Sequence, residues 1–406
     1  MHRNTIILLY ITLVIFSLFN HSCDIPNVNF SEVDGLFTEA VNSKNVPGVV
    51  AIVADKKEIL YHNAFGKMDV KSDIEMGKNA LFDIASMTKA FTTIGIMMLY
   101  ERGKFELNDP VADFIPSLKN KQVLKSVDPT DSTYSTVNLK SYITIRQLLT
   151  HTSGYGYFFL SDPLAKIMRK TPMAWKDLPL LQQPGEKWTY GAGTEILGDL
   201  IEAVSGETLD VFFEENLFDP LGMTDTFYNI PEDKFNRLVT FHRRSEDGNL
   251  SESEKVMPNQ RSIPNGGHGI YTTATDYMKL LQMLLNEGEA NGKRLVSSET
   301  IKLMTTNQIG DMTMGPVISS NRSFTNDFSF IDGHDRFGFG FLIEANPKPN
   351  MRSLGSYGWV GLFNTYFWVD PKKEIAAILF TRILPFCDDK VLNLYNEFES
   401  MVYESL

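Results

Sequence analysis

Cysteine is almost missing from this chain. Its 406 residues carry only Cys23 and Cys387, too few for a disulfide framework, so a packed core must hold the fold. Basic charge is short as well: 38 Lys and Arg stand against 50 Asp and Glu, a net charge of -12. That balance argues against nucleic acid or an anionic membrane surface as the natural ligand. No Gly-x-Ser-x-Gly elbow is present, which removes the main signature of the α/β-hydrolases. No His-Glu-x-x-His, paired-cysteine motif or calcium loop occurs either, so no metal and no cofactor are expected. The apolar run from Ile6 to Phe19 is too short for a comfortable membrane span.

That run follows His2 and Arg3 and reads as an export signal covering residues 1–22. Cys23 after Ser22 allows two readings, a lipoprotein processing site with an acylated cysteine or a plain signal peptide with an incidental one. Asn20 and His21 fit the lipoprotein pattern loosely. The expectation is an exported bacterial protein, periplasmic or membrane-anchored, with 23–32 as a polar tether.

The remaining 33–406 is long enough, at 43% hydrophobic, to bury a large core. Val33, Leu36, Phe37, Ala40 and Val41 recur at helical spacing and stop before Pro47-Gly48. Val49 to Ala54 and Ile59 to Phe65 read as strands joined by a polar turn. Near the other end, Gly338 to Ile343, Thr365 to Val369 and Ile375 to Thr381 read as strands, and Asp388 to Tyr403 as a closing helix. Between about 90 and 330 helical patterns dominate, broken by polar loops at Ser126 to Asn138 and Arg243 to Glu254. The expected fold is α+β: one antiparallel sheet built from both chain ends, flanked by helices, with a mostly helical subdomain inserted between its halves.

Ser86-Met87-Thr88-Lys89 heads the apolar run Ala90 to Arg102. Positions i and i+3 of a helix share a face, so the Lys89 amine can lie beside the Ser86 hydroxyl and help remove its proton. A helix N-terminus also offers backbone N–H groups to a developing oxyanion. Serine and lysine are common, and roughly one such tetrapeptide is expected by chance in a chain of this length. Partners elsewhere must decide.

Three segments supply them: Phe82 to Lys89, Leu148 to Gly154 (Leu-Leu-Thr-His-Thr-Ser-Gly), and Gly266 to Ala274. In that order they resemble the serine β-lactamase and penicillin-binding protein superfamily, closest to its class C branch and the family VIII carboxylesterases. The resemblance implies a β-lactamase/transpeptidase-like fold with Ser86 as nucleophile and Lys89 beside it. Tyr190, in Tyr190-Gly191-Ala192, matches the family's Tyr-x-Asn motif. A phenol with an ordinary pKa near 10 is a poor base at neutral pH unless a cation favours its phenolate, which Lys89 would do. Ala192 stands where β-lactam-processing members carry asparagine, and an alanine can make no hydrogen bond to a substrate. Gly358 to Phe363 resembles the Trp-x-Gly form of the third family motif, with Trp359 in place of the usual cation. The resemblance implies an oxyanion hole from the backbone N–H groups of Ser86 and Leu362, with Ala192, Trp359 and Gly361 facing substrate.

The function expected is an exported serine hydrolase working through an acyl-enzyme on small carboxylic esters. Two alternatives stay open: a β-lactamase or D-alanyl-D-alanine carboxypeptidase, and a non-catalytic protein of the same fold that binds cell-wall peptide.

Overall fold

A computed structural model describes residues 29–253, 264–328 and 335–406. The expected signal segment, Cys23 and the tether up to residue 28 lie outside those residues. The chain is already helical at Ser31, within the stretch read as tether: α1 spans Ser31–Asn42. Strands β1 (Gly48–Asp55) and β2 (Ile59–Asp69) follow as an antiparallel hairpin. The Asp55 carboxylate closes its turn by accepting from the backbone N–H groups of Lys57 and Glu58, both at 2.7 Å.

After a short β3 (Ile74–Glu75) the chain leaves the sheet for the helices α2 (Thr88–Glu101), α3 (Gly193–Ser205) and α4 (Ala274–Leu285). It returns as β4 (Arg336–Phe337), β5 (Leu342–Ile343), β6 (Tyr357–Gly361), β7 (Thr365–Asp370) and β8 (Ile375–Phe380), and closes with α5 (Asp389–Glu404). The order across the sheet is β4-β5-β6-β7-β8-β1-β2-β3. Val50 pairs with Phe380 and Asp55 with Ile375, so the two chain ends do form one sheet. The α+β fold expected from the sequence is the one that forms.

Both faces of this sheet are covered, which explains its central strands. Val50, Ile52 and Ala54 of β1 pack on the side of α2 and α4, while Val49, Ala51 and Val53 pack on the side of α1 and α5. A strand buried on both faces needs no polar alternation and reads as a continuous apolar run. Helix α2 is buried from Thr88 through Leu99, the pattern of a helix surrounded by protein on every side. Helix α3 ends where Gly206 takes a left-handed φ of 80°, a conformation glycine adopts without a Cβ penalty.

Three expectations need correction. Gly338 to Ile343 is not one strand: β4 and β5 pair with each other around a turn in which Gly340 has φ +78°. The polar stretch Ser126 to Asn138 lies largely in a hairpin, Gln122–Val127 against Tyr134–Asn138. The described part of Arg243 to Glu254 contains a second, His242–Arg244 against Leu250–Glu252. These hairpins are half-exposed, so backbone pairing holds them without the apolar alternation that marks a strand in sequence.

Arg352, in the connection from β5 to β6, ties that loop to α5. Its Nε donates to Glu399 Oε1 at 2.7 Å, and its Nη2 reaches Glu399 Oε2 and the Tyr395 hydroxyl. Removing one partner of a buried pair strands the other charge. Glu399→Ala should therefore cost about 3–5 kcal/mol. Lys56→Ala, at the exposed pair with Glu374, should cost about 1 kcal/mol or less. Urea unfolding midpoints measured side by side check the contrast, and equal losses would contradict it.

Candidate active site

Ser86 lies in a single 3-10 turn, Ala85–Met87, that runs directly into α2. Three restraints fix this turn. Ala85 is held at φ +43°, a conformation costing on the order of 1–3 kcal/mol for a residue with a Cβ. Its N–H donates to Asp83 Oδ1 at 3.0 Å, and the Tyr277 hydroxyl of α4 donates to the Met87 carbonyl at 3.0 Å. The short pairing of Phe82–Asp83 with Tyr271–Thr272 then brings the 265–272 segment alongside.

Lys89, the second residue of α2, is only 1% exposed. Its Nζ donates to Ser86 Oγ at 3.1 Å and to the Gly267 carbonyl at 2.8 Å. The same nitrogen lies 5.2 Å from the ring centroid of Tyr190 and 5.5 Å from that of Tyr157. Cationic nitrogen is attracted to aromatic faces at such distances. The structure thus brings Ser86, Lys89 and Tyr190 together.

Strand β6 supplies the facing wall. Gly361 lies so close to the Ser86 turn that a Cβ there would overlap the Ile84 carbonyl oxygen and the Thr365 hydroxyl. Leu362, the next residue, enters the tight turn to β7 and lines the same cavity as Ser86. That places both expected oxyanion donors on one pocket. Trp359 lines it too, edge-on to Tyr190 at 5.2 Å and stacked on His151 at 6.4 Å. Ala192 does not reach it. It is fully buried at the start of α3, and its methyl group ends in the core.

The cavity measures about 210 Å³ and its wall is rich in aromatic rings, from Tyr157, Phe159, Trp175, Phe328, Phe363 and Phe386 besides Tyr190 and Trp359. Among the described residues no lysine or arginine lines it, and Asp83 and His268 are the ionisable groups there apart from the two tyrosines. Among the described residues no cluster of His, Cys, Asp and Glu could hold a metal ion. Such a site can place a neutral carbonyl against Ser86, with apolar surface for the group attached to it.

Sequence reasoning missed several neighbours. Tyr157 stacks on Phe159 at 5.0 Å and meets Tyr190 edge-on at 5.4 Å. Its place just beyond Thr152-Ser153-Gly154 was the available signal. Glu195, in the first turn of α3, is 6% exposed, and burial raises its pKa to about 7 against the opposing pull of Lys89. Helical spacing gave no hint of that, because Glu195 sits where a polar residue often begins a helix. His151 adopts φ +55° and packs against Tyr190, Trp188, Phe337 and Trp359. Burial, seconded by Lys89, pushes its pKa down to about 3, so it serves as a neutral wedge behind the site.

Comparison with known proteins gives the family and the fold. Residues 33–399 match the family model described as Beta-lactamase. Monacolin J acid methylbutanoyltransferase of Aspergillus terreus is 28% identical over 393 residues, covering 90% of this chain and 94% of its own. Lovastatin esterase of Penicillium rubens is 28% identical over 397 residues, covering 91% and 98%. The solved structure of a mutant simvastatin synthase from A. terreus superposes with a TM-score of 0.81 at 26% identity, covering 95% of this chain and 99% of that one.

Lys89→Ala and Tyr190→Phe should each lower turnover by on the order of a hundredfold or more, the range for loss of a general acid or base. Steady-state rates on a nitrophenyl ester test this, and a near-normal Tyr190→Phe would mean that another group accepts the proton. His151 predicts an acid effect on stability. Its folded pKa lies below the unfolded value, so between about 6.5 and 3 the unfolded chain binds the proton and stability falls as pH falls. His151→Asn keeps a residue that tolerates left-handed φ and removes this component. The melting-temperature advantage of the wild type over the variant should therefore shrink from pH 7 to pH 4; a constant difference would refute the assignment.

Proposed function

The chain belongs to the β-lactamase family, and from that membership we propose that it is a serine hydrolase that cleaves small carboxylic esters through an acyl-enzyme on Ser86. The observation that carries this reading is Lys89 Nζ 3.1 Å from Ser86 Oγ, behind a cavity that among the described residues is lined by no lysine or arginine. A β-lactam or a peptide terminus brings a carboxylate into the site. Here it would meet aromatic rings and the Asp83 carboxyl instead of a cation, and a charge moved into such surroundings without a partner is heavily penalised. A neutral ester carries no such penalty.

In this mechanism Ser86 Oγ attacks the ester carbonyl while its proton passes into the Tyr190–Lys89 pair. The oxyanion rests on the backbone N–H groups of Ser86 and Leu362, which preorganised donors stabilise strongly in a water-poor site. The proton then goes to the departing alcohol, and a water molecule cleaves the acyl-serine by the reverse transfer. Two relatives frame the second half-reaction. One is named an esterase, which uses water, and one a methylbutanoyltransferase, which hands the acyl group to another acceptor. The aromatic-rich wall favours a second reading of the same kind, in which a bulky alcohol competes with water for the acyl-enzyme. We also propose that the protein works outside the cytoplasm, a reading supported by the Ile6 to Phe19 run and Cys23.

Purified protein offered 4-nitrophenyl butyrate and a cephalosporin should hydrolyse the ester and leave the cephalosporin intact. Turnover of the cephalosporin alone would reverse the preference. Intact-mass spectrometry after fluorophosphonate treatment should find one adduct in the wild type and none in Ser86→Ala. An unmodified wild type would instead favour the non-catalytic binding protein.

A further inference from the structure

The carboxyl of Glu195 has no part in the mechanism above, yet it is buried beside it. Glu195 lies in the first turn of α3, and among the described residues its Oε1 has no hydrogen-bond partner. A Cβ built on Gly267 would come within 2.9 Å of Glu195 Cγ, 3.2 Å of Asn265 Oδ1 and 3.4 Å of the Tyr157 hydroxyl. These groups therefore crowd around the very residue whose carbonyl accepts from Lys89. Asn265 braces the arrangement, its Oδ1 accepting from the Gly267 N–H at 2.7 Å and its side chain bonding Glu195. Glu195 does not line the substrate cavity.

We infer that Glu195 is a positioning residue for the Ser86 centre: its carboxylate supplies the counter-charge that holds the Lys89 ammonium in place between Ser86 and Gly267. This inference rests on the acyl-enzyme reading. The role needs the ionised carboxyl, because only an anion balances the ammonium; the neutral acid leaves Lys89 with a carbonyl, a hydroxyl and two rings. Charged and titratable neighbours act on Glu195 from every described element around it. Lys89 of α2 and Lys176 of the Trp175–Asp177 turn favour its ionisation, and Asp199, one turn along α3, opposes it. Tyr155 and Tyr157 feel its charge in turn, and Tyr157 is linked to Tyr190. Burial is the largest influence and brings its titration to about pH 7. The pH dependence of catalysis should therefore carry its signature.

The test is kcat/KM for 4-nitrophenyl butyrate from pH 5 to 9. In the wild type the rate should rise through an inflection near pH 7. Glu195→Gln should lose that inflection and run about tenfold below the wild-type plateau, the equivalent of one unit of pKa in a neighbouring group. Glu195→Asp should restore an inflection at a shifted pH. His268 also lines the cavity, and imidazole titrates in the same range; His268→Gln should nevertheless keep the inflection. If Glu195→Gln keeps it, or His268→Gln abolishes it, the inference is wrong. Melting curves give a readout apart from activity. Because the folded carboxyl holds its proton more tightly than the unfolded one, wild-type stability relative to Glu195→Gln should decline from about pH 4.5 to 7 and then level off. A flat difference also overturns the inference. A wild type that neither turns over ester nor labels with fluorophosphonate sinks the acyl-enzyme reading and this role with it. Normal labelling with an unchanged inflection in Glu195→Gln sinks this role alone.

Discussion

A lysine amine at 1% exposure is the constraint around which this molecule is organised. Ammonium and amine groups leave water at a cost, and burial is tolerable only where oxygen atoms and polarisable rings take water's place. Lys89 finds its acceptors in Ser86, on the turn before its own helix, and in Gly267, far along the chain. It finds its rings in Tyr157 and Tyr190, from two further segments. No one segment could satisfy it, so the site exists only when all of them are in register.

The surrounding packing keeps that register. Thr92, one turn past Lys89, donates to the Gly266 carbonyl at 2.7 Å, so α2 grips the acceptor loop at two successive residues. Gly198 of α3 and Gly266 lie so close that a Cβ on either would meet the other's backbone at 2.9 Å. Glycine is required there by the close approach of two main chains. On the opposite side β6 presses Gly361 against Ile84. The Ser86 turn is thus held between a helix that supplies the amine and a strand that supplies the facing wall.

Much of this was legible in the sequence, for identifiable reasons. Central strands and buried helices announce themselves by apolar runs, and so β1, β8 and α5 were found within a residue or a few. Ser86, Lys89 and Tyr190 could be picked out as candidates because they stand in short motifs. What escaped detection depends on contact instead of pattern. The exposed hairpin at Gln122–Val127 carries no apolar alternation, and the Gly340 turn hides inside Phe-Gly-Phe-Gly-Phe. Glu195 looks like any helix-starting carboxylate until the fold closes over it, and Ala192 looked like a pocket residue until the fold put it in the core.

The pairing of β1 with β8 has one more consequence, for the order of events during synthesis. Val50 cannot find Phe380 until almost the whole chain has been made, and contacts so distant in sequence are slow to form because a long loop must first be closed. The hairpin of β1 and β2 must therefore wait with its other edge open while the ribosome adds more than three hundred residues. An open apolar strand edge is the feature most prone to pair with the wrong chain. A nascent chain of this architecture has its greatest need of a chaperone after its first hairpin and before its last strand.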